Sequence, residues 1–205
     1  MRTYNQIEID MGQYLSEPSS TYTDWADFTQ DRRRIAIKDA ELYLAETIRA
    51  TKLLKLQTEP INLTALISGN ILTFPIEYLR LFSLWHQPST GNNVYIHPKD
   101  QEWHELQDGL SFNYELDPYW HDYGNKRIEI KHGITSPSWY GKFIKYPQTY
   151  NPYFDFGDQY SELDGYEQLI TIYASALLLL AAKEFDNAAN LFKMCDARIQ
   201  IINNG

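Results

Sequence analysis

Five histidines, His86, His97, His104, His121 and His132, have side chains that ordinarily titrate nearest neutrality, so a proton-transfer or metal site would be sought there first. Their spacing argues against one. No H-x-x-x-H or H-E-x-x-H sets two imidazoles on one helical face, and the single cysteine, Cys195, excludes a multi-cysteine structural zinc site within the chain. A site would have to assemble through the fold, from His121, Asp122 and His132; scattered strand or surface histidines are the simpler reading. There is no G-x-S-x-G elbow for a serine nucleophile, and neither G-x-G-x-x-G nor G-x-x-x-x-G-K-[ST] is present to cradle a phosphate. Carboxylates three apart, Glu102 with Glu105 and Asp155 with Asp158, have the chemistry for acid and base in glycoside cleavage, and aromatic rings could stack on sugars. Such pairs are commonplace on helices and loops. The expectation is a chain that is not an enzyme, with no catalytic, metal or cofactor residues.

Two stretches suit recognition better. Arg32, Arg33 and Arg34 form the one concentrated basic run, which is either a dock for an acidic partner or phosphate, or a solvated helical face. Pro147 to Glu162 has no Lys or Arg but carries Tyr150, Tyr153, Phe154, Phe156 and Tyr160, whose rings need covering. This segment reads as extended. It is either an arm laid on a neighbouring subunit or partner, or a linker packed on its own domain. These eight residues are the candidate partner contacts.

The elements that must position them fall into two kinds. From Leu169 to Ala182 only Thr171 and Ser175 are polar, so a helix there must be enclosed, and it is too short to cross a bilayer. Asp164 and Glu167 suggest a capping box at its start. After a turn near Lys183 to Asp186, Ala188, Phe192, Cys195, Ile199 and Ile202 recur at helical spacing and complete a helical hairpin. Toward the N-terminus, Thr3 and Gln6 suggest another capping box and a helix from Tyr4 to Ser16. A longer helix is expected from about Asp24 to Leu56, bending near Asp31, with Ile37, Ala40, Leu44, Ile48 and Leu54 inward.

Between the helical parts the pattern changes to strands. Ile61 to Ile67 alternates, Gly69-Asn70 turns the chain and Ile71 to Phe74 returns; Gly124-Asn125 repeats the device between Tyr119–Tyr123 and Arg127–Lys131. Further strands are expected at Leu79–His86, Val94–Ile96 and Ser138–Tyr146, with a helix opening at Pro98 and reaching about Gln107. The fold class is therefore expected to be α+β: a helical bundle built from N-terminal and C-terminal helices, 1–57 plus 163–205, with an inserted antiparallel sheet or sandwich of five or six strands, 58–146. The segment 147–162 is the arm or linker, and all 205 residues form one domain.

A net charge of −9 disfavours nucleic acid as a tightly held ligand. The sequence MRTYNQIEIDMGQ has no apolar run of signal-peptide length, and one cysteine suits a reducing compartment, so folding in a cytoplasm is expected. Aromatics make up 15% of the chain, more than a contact surface alone would use, so most are assigned to sheet cores.

The order of these elements resembles the head-to-tail adaptor proteins of tailed bacteriophages, the connector proteins of the neck. AELYLAETIRATKLLKL at 40–56, ILTFPIEYLRLFSLWH at 71–86, RIEIKHG at 127–133, WYGKFIKYP at 139–147 and YEQLITIYASALLLLAAKEFDNAANLF at 166–192 carry the resemblance, which covers most of the chain. It implies a structural virion protein, made in the host bacterial cytoplasm and placed between capsid and tail. Such a protein forms a homo-oligomeric, twelve-fold ring beneath the portal protein. It binds further tail or neck proteins and continues the channel through which DNA passes without specific binding. No membrane contact is implied. A glycan-binding or hydrolytic virion component and a non-viral interaction scaffold are the alternatives.

Overall fold

The structure, a computed structural model, describes residues 1–15, 28–88, 92–98, 118–131 and 138–205. They form two compact units, residues 1–56 with 146–205 and residues 57–145.

The second unit is one eight-stranded sheet. β1 (Ile61–Asn62), β2 (Ile67–Ser68), β3 (Ile71–Thr73), β4 (Tyr78–Gln87), β5 (Val94–Pro98), β6 (Tyr119–Gly124), β7 (Arg127–Lys131) and β8 (Ser138–Lys145) pair in the order β1-β8-β4-β5-β6-β7-β3-β2. Both expected glycine turns are present, with Gly69 at φ 62° between β2 and β3 and Gly124 at φ 76° between β6 and β7. The long central strand β4 pairs with β8 along most of its length and with β5 through Leu84, Trp85 and His86.

This corrects the expected fold class. The molecule is α+β, but the curled sheet dominates; it is not a helical bundle with an inserted antiparallel sheet or sandwich. The sheet is also mixed, because β5 and β6 run parallel, with His97 beside Tyr119 and Pro98 beside Trp120. A parallel pair needs a long crossover, and the chain from Lys99 to Pro118 supplies the length; hairpin signals alone could not reveal it. The helix expected from Pro98 to Gln107 lies, apart from Pro98 in β5, outside the described residues. The alternation from Ile61 to Ile67 is not one strand. The side chain of Asn62 accepts the Thr64 N–H at 3.0 Å, an Asx-type turn that breaks the strand and leads into the 3-10 turn Thr64–Leu66.

Packing explains the aromatic content of this unit. Phe74 and Tyr78 stack with centroids 3.9 Å apart, and Phe143 meets both edge-on. Burial pushes the Tyr78 phenol up to about 12. Where β8 passes between β1 and β4 there is no room for a side chain: a Cβ at Gly141 would stand 2.7 Å from Leu63 Cδ1 and 3.0 Å from the Ser83 carbonyl oxygen.

The helical unit contains α1 (Tyr4–Tyr14), α2 (Gln30–Thr47), α3 (Glu167–Ala181) and α4 (Phe185–Asn204). α3 packs against all three others. The two polar residues within its apolar run cost it little, because the Thr171 hydroxyl donates to the Glu167 carbonyl at 2.9 Å and the Ser175 hydroxyl to that of Thr171 at 2.8 Å. The capping box expected from Asp164 and Glu167 does not form: Tyr166 occupies the cap without a side-chain bond, and Asp164 pairs instead with Lys55 at 3.2 Å. Thr3 does cap α1, accepting the Gln6 N–H at 3.2 Å, whereas the Gln6 amide turns to Asp10.

α2 is shorter than expected. The proposed start at Asp24 lies outside the described residues, and the helix ends at Thr47 because Asn203 of α4 takes over its terminus, accepting the Arg49 N–H at 2.8 Å and donating to the Thr47 carbonyl at 3.0 Å. Leu54, expected inward, is 76% exposed; Leu53 and Leu56 are buried in its place.

Two predictions follow from backbone geometry. Gly141→Ala should destabilise the protein by about 1–3 kcal/mol, since either Leu63 or the strand must shift within a packed sheet, and this should appear as a lowered midpoint in urea. The α3–α4 turn is a Schellman motif, with the Glu184 N–H on the Leu179 carbonyl and the Lys183 N–H on that of Leu180, yet Lys183 rather than glycine sits at φ 67°. Lys183→Gly should raise stability by roughly 0.5–1 kcal/mol, read as a higher thermal midpoint.

Candidate interaction site on the helical unit

The helical unit is organised around a carboxylate. Glu41 lies on the apolar stripe of α2 with Ile37, Ala40 and Leu44 and is fully buried. Three hydroxyls converge on it: Tyr4 Oη of α1 donates at 2.8 Å, Thr149 Oγ1 at 2.7 Å, and Ser161 Oγ also donates. No cation pairs with it among the described residues. Loss of water raises the Glu41 pKa above the usual carboxylate range, with the three hydroxyl donors opposing and Glu162 adding to the rise. Burial likewise raises the Tyr4 phenol.

Thr149 and Ser161 belong to the aromatic segment 147–162, and their bonds tie it to its own unit. The Tyr4 N–H donates to the Gln159 carbonyl at 2.9 Å, and Asn5 Nδ2 donates to Asp158 Oδ1 at 3.0 Å. Phe154 and Phe156 meet the Tyr4 ring edge-on at 5.4 and 5.2 Å. The segment is thus a strap on its own helices, and Asp158 is part of its anchorage. Among the candidate contacts, Phe156 is buried beneath the Arg34 guanidinium, Tyr150 lies under the Lys38 ammonium, and Phe154 is half-buried. Tyr153 and Tyr160 face outward, 92% and 51% exposed.

The arginine run divides in the same way. Arg33 is buried, with Nη2 3.0 Å from Glu8 Oε2 and Nη1 donating to the Phe28 carbonyl at 2.6 Å; Arg34 Nε reaches the other Glu8 oxygen at 3.3 Å. A solvated face is therefore wrong for Arg33. Burial pushes Glu8 upward, and the two guanidiniums pull it back. Only Arg32 points outward, onto a groove of about 430 Å³ lined by Phe28, Ile35, Ala36, Asp39, Leu177, Leu178 and Ala181. Ile35 is 59% exposed there, and Leu180 and Phe185 are further exposed apolar side chains at the end of the hairpin.

Among the described residues, those singled out for chemistry are not brought together. His121 Nε2 lies 3.4 Å from Glu129 across the β6–β7 pair, and Glu129 also holds Lys131 at 3.0 Å. His86 faces the Ser138 carbonyl at 3.3 Å, while His104, His132, Glu102 and Glu105 lie outside the described residues. No three His, Cys, Asp or Glu side chains among the described residues could hold a metal ion. Cys195 is enclosed on the α4 seam, and burial pushes its thiol up to about 12, which suits a core residue and not a nucleophile. Among the described residues no helix is long and apolar enough to cross a membrane. No protein-family model and no curated protein matches the chain.

Sequence reasoning missed the Glu41 cluster, although one signal was there: an acid within an apolar stripe must find donors. Glu41→Ala should cost about 3–5 kcal/mol by leaving three buried hydroxyls without their acceptor. Glu41→Gln should cost much less at neutral pH, since the Thr149 hydroxyl can rotate to accept from the new amide. The raised Glu41 pKa means the folded state holds its proton more tightly than the unfolded chain. Stability is then fully present below the ordinary carboxylate range and is lost as pH rises through the folded value. Urea titrations across pH should show this decline, and Glu41→Gln should flatten it.

Proposed function

We propose that this chain is a structural head-to-tail adaptor of a tailed bacteriophage, a ring-forming connector that joins the portal to the tail and continues the DNA channel. The observation that carries this reading is the exposed apolar groove on the α2–α3 face. It lies on an otherwise well-packed unit, and an apolar surface with charged rims fits a protein partner. The α3 wall of the groove, Leu177, Leu178 and Ala181, falls within the segment 166–192 that resembles the adaptor family, and the α2 wall, Arg32 to Asp39, directly precedes the segment 40–56. The outward Tyr153, Tyr160 and Arg32 are the remaining candidates for partner contact.

In this role the protein acts by position. Each copy buries two different surfaces against its neighbours, and rotation closes the ring. The excess of acids, 27 Asp+Glu against 18 Lys+Arg, suits the wall of a passage that must not retain the duplex. The portal partner, the tail-side partners and a location in the virion neck all belong to this proposal.

Mixing the purified protein with the portal encoded beside it should give a complex of ring mass, and imaging should show a symmetric ring at the portal's narrow end. A monomer indifferent to the portal at several salt concentrations would exclude the adaptor role.

A further inference from the structure

The α2–α3 groove and the outer face of α4 carry matching patterns. On the α2 wall Arg32 and Asp39 stand seven residues apart, about 10 Å along the helix, with Ile35 and Ala36 between them. Neither charge has an ion-pair partner among the described residues. On α4 the face opposite the Ala188–Cys195–Ile199 seam presents Asp186, Asn190, Lys193 and Ala197, all exposed. Its two charges have the same spacing and the opposite order of sign.

We infer that the groove receives the outer face of α4 from another copy of this chain, the two helices lying parallel. In that alignment Asp186 meets Arg32 and Lys193 meets Asp39, while Asn190, short and uncharged, seats over Ile35. The antiparallel alignment sets Asp186 against Asp39 and Lys193 against Arg32, so like charges oppose it. Groove and α4 face are different surfaces, which makes the contact heterologous and repeatable from copy to copy. The inference rests on the self-association in the proposed function and assigns its two surfaces.

The test is a disulfide ladder. Ile35→Cys and Asn190→Cys are combined in one chain, where Cys195 is fully buried and does not compete. The concentrated protein is oxidised alone and with the portal, and portal capture is scored separately. A ladder extending past dimers in the double variant, with dimers at most in either single variant, is the expected result. Arg32→Glu in that background should reduce the ladder at least tenfold, and adding Asp186→Arg should restore it. No ladder under either condition, or one that stops at two copies, overturns the inference. Portal capture without a ladder removes this contact and leaves the adaptor reading standing; a ladder without portal capture does the reverse.

Discussion

A carboxylate that pairs with no cation among the described residues holds the helical unit together. Glu41 sits where α1, α2 and the strap meet, and a fully buried acid is tolerated only because one hydroxyl from α1 and two from the strap surround it. The arrangement is directional where apolar packing is not. Leucines on α2 would accept several placements of α1 and of the strap, whereas Tyr4, Thr149 and Ser161 reach Glu41 together in one. The Glu8–Arg33 pair nearby fixes the entrance to α2 in the same manner, through the Phe28 carbonyl.

This constraint decides what the surface can offer. Because Glu41 and Glu8 use the inward parts of the strap and of the arginine run, most of the residues that looked available for recognition are engaged internally. Arg33, Phe154 and Phe156 support the unit. What is left outside is the groove bearing Arg32, the tips Tyr153 and Tyr160, and the free face of α4. The surface left for the proposed partner contact therefore lies mainly on helices and not on a loose arm.

Legibility followed the range of the interactions. α3 could be read because a run that is apolar on every side has one solution, and both glycine turns because positive φ is a local demand. The parallel β5–β6 pair could not be read, since pairing across a long connection leaves no mark on either strand. The end of α2 was misplaced for a similar reason: Asn203, which stops it, lies more than 150 residues away. Glu41 itself stood in plain view on the stripe, but its donors are scattered from position 4 to position 161. An acid there reads as a break in the pattern until they are seen.

The sheet unit begins and ends side by side, with Gln57 bridged to Ile144 and the Thr58 N–H on the Phe143 carbonyl at 3.0 Å. As the chain leaves the ribosome, this unit can close as soon as β8 emerges, while the helical unit still lacks its second half. Glu41 must then wait in water until Thr149 and Ser161 follow it out. The docking of the strap and the completion of the helical core thus become one late event in synthesis, and a chain truncated before the strap would display its acid to solvent and its apolar stripe to chaperones.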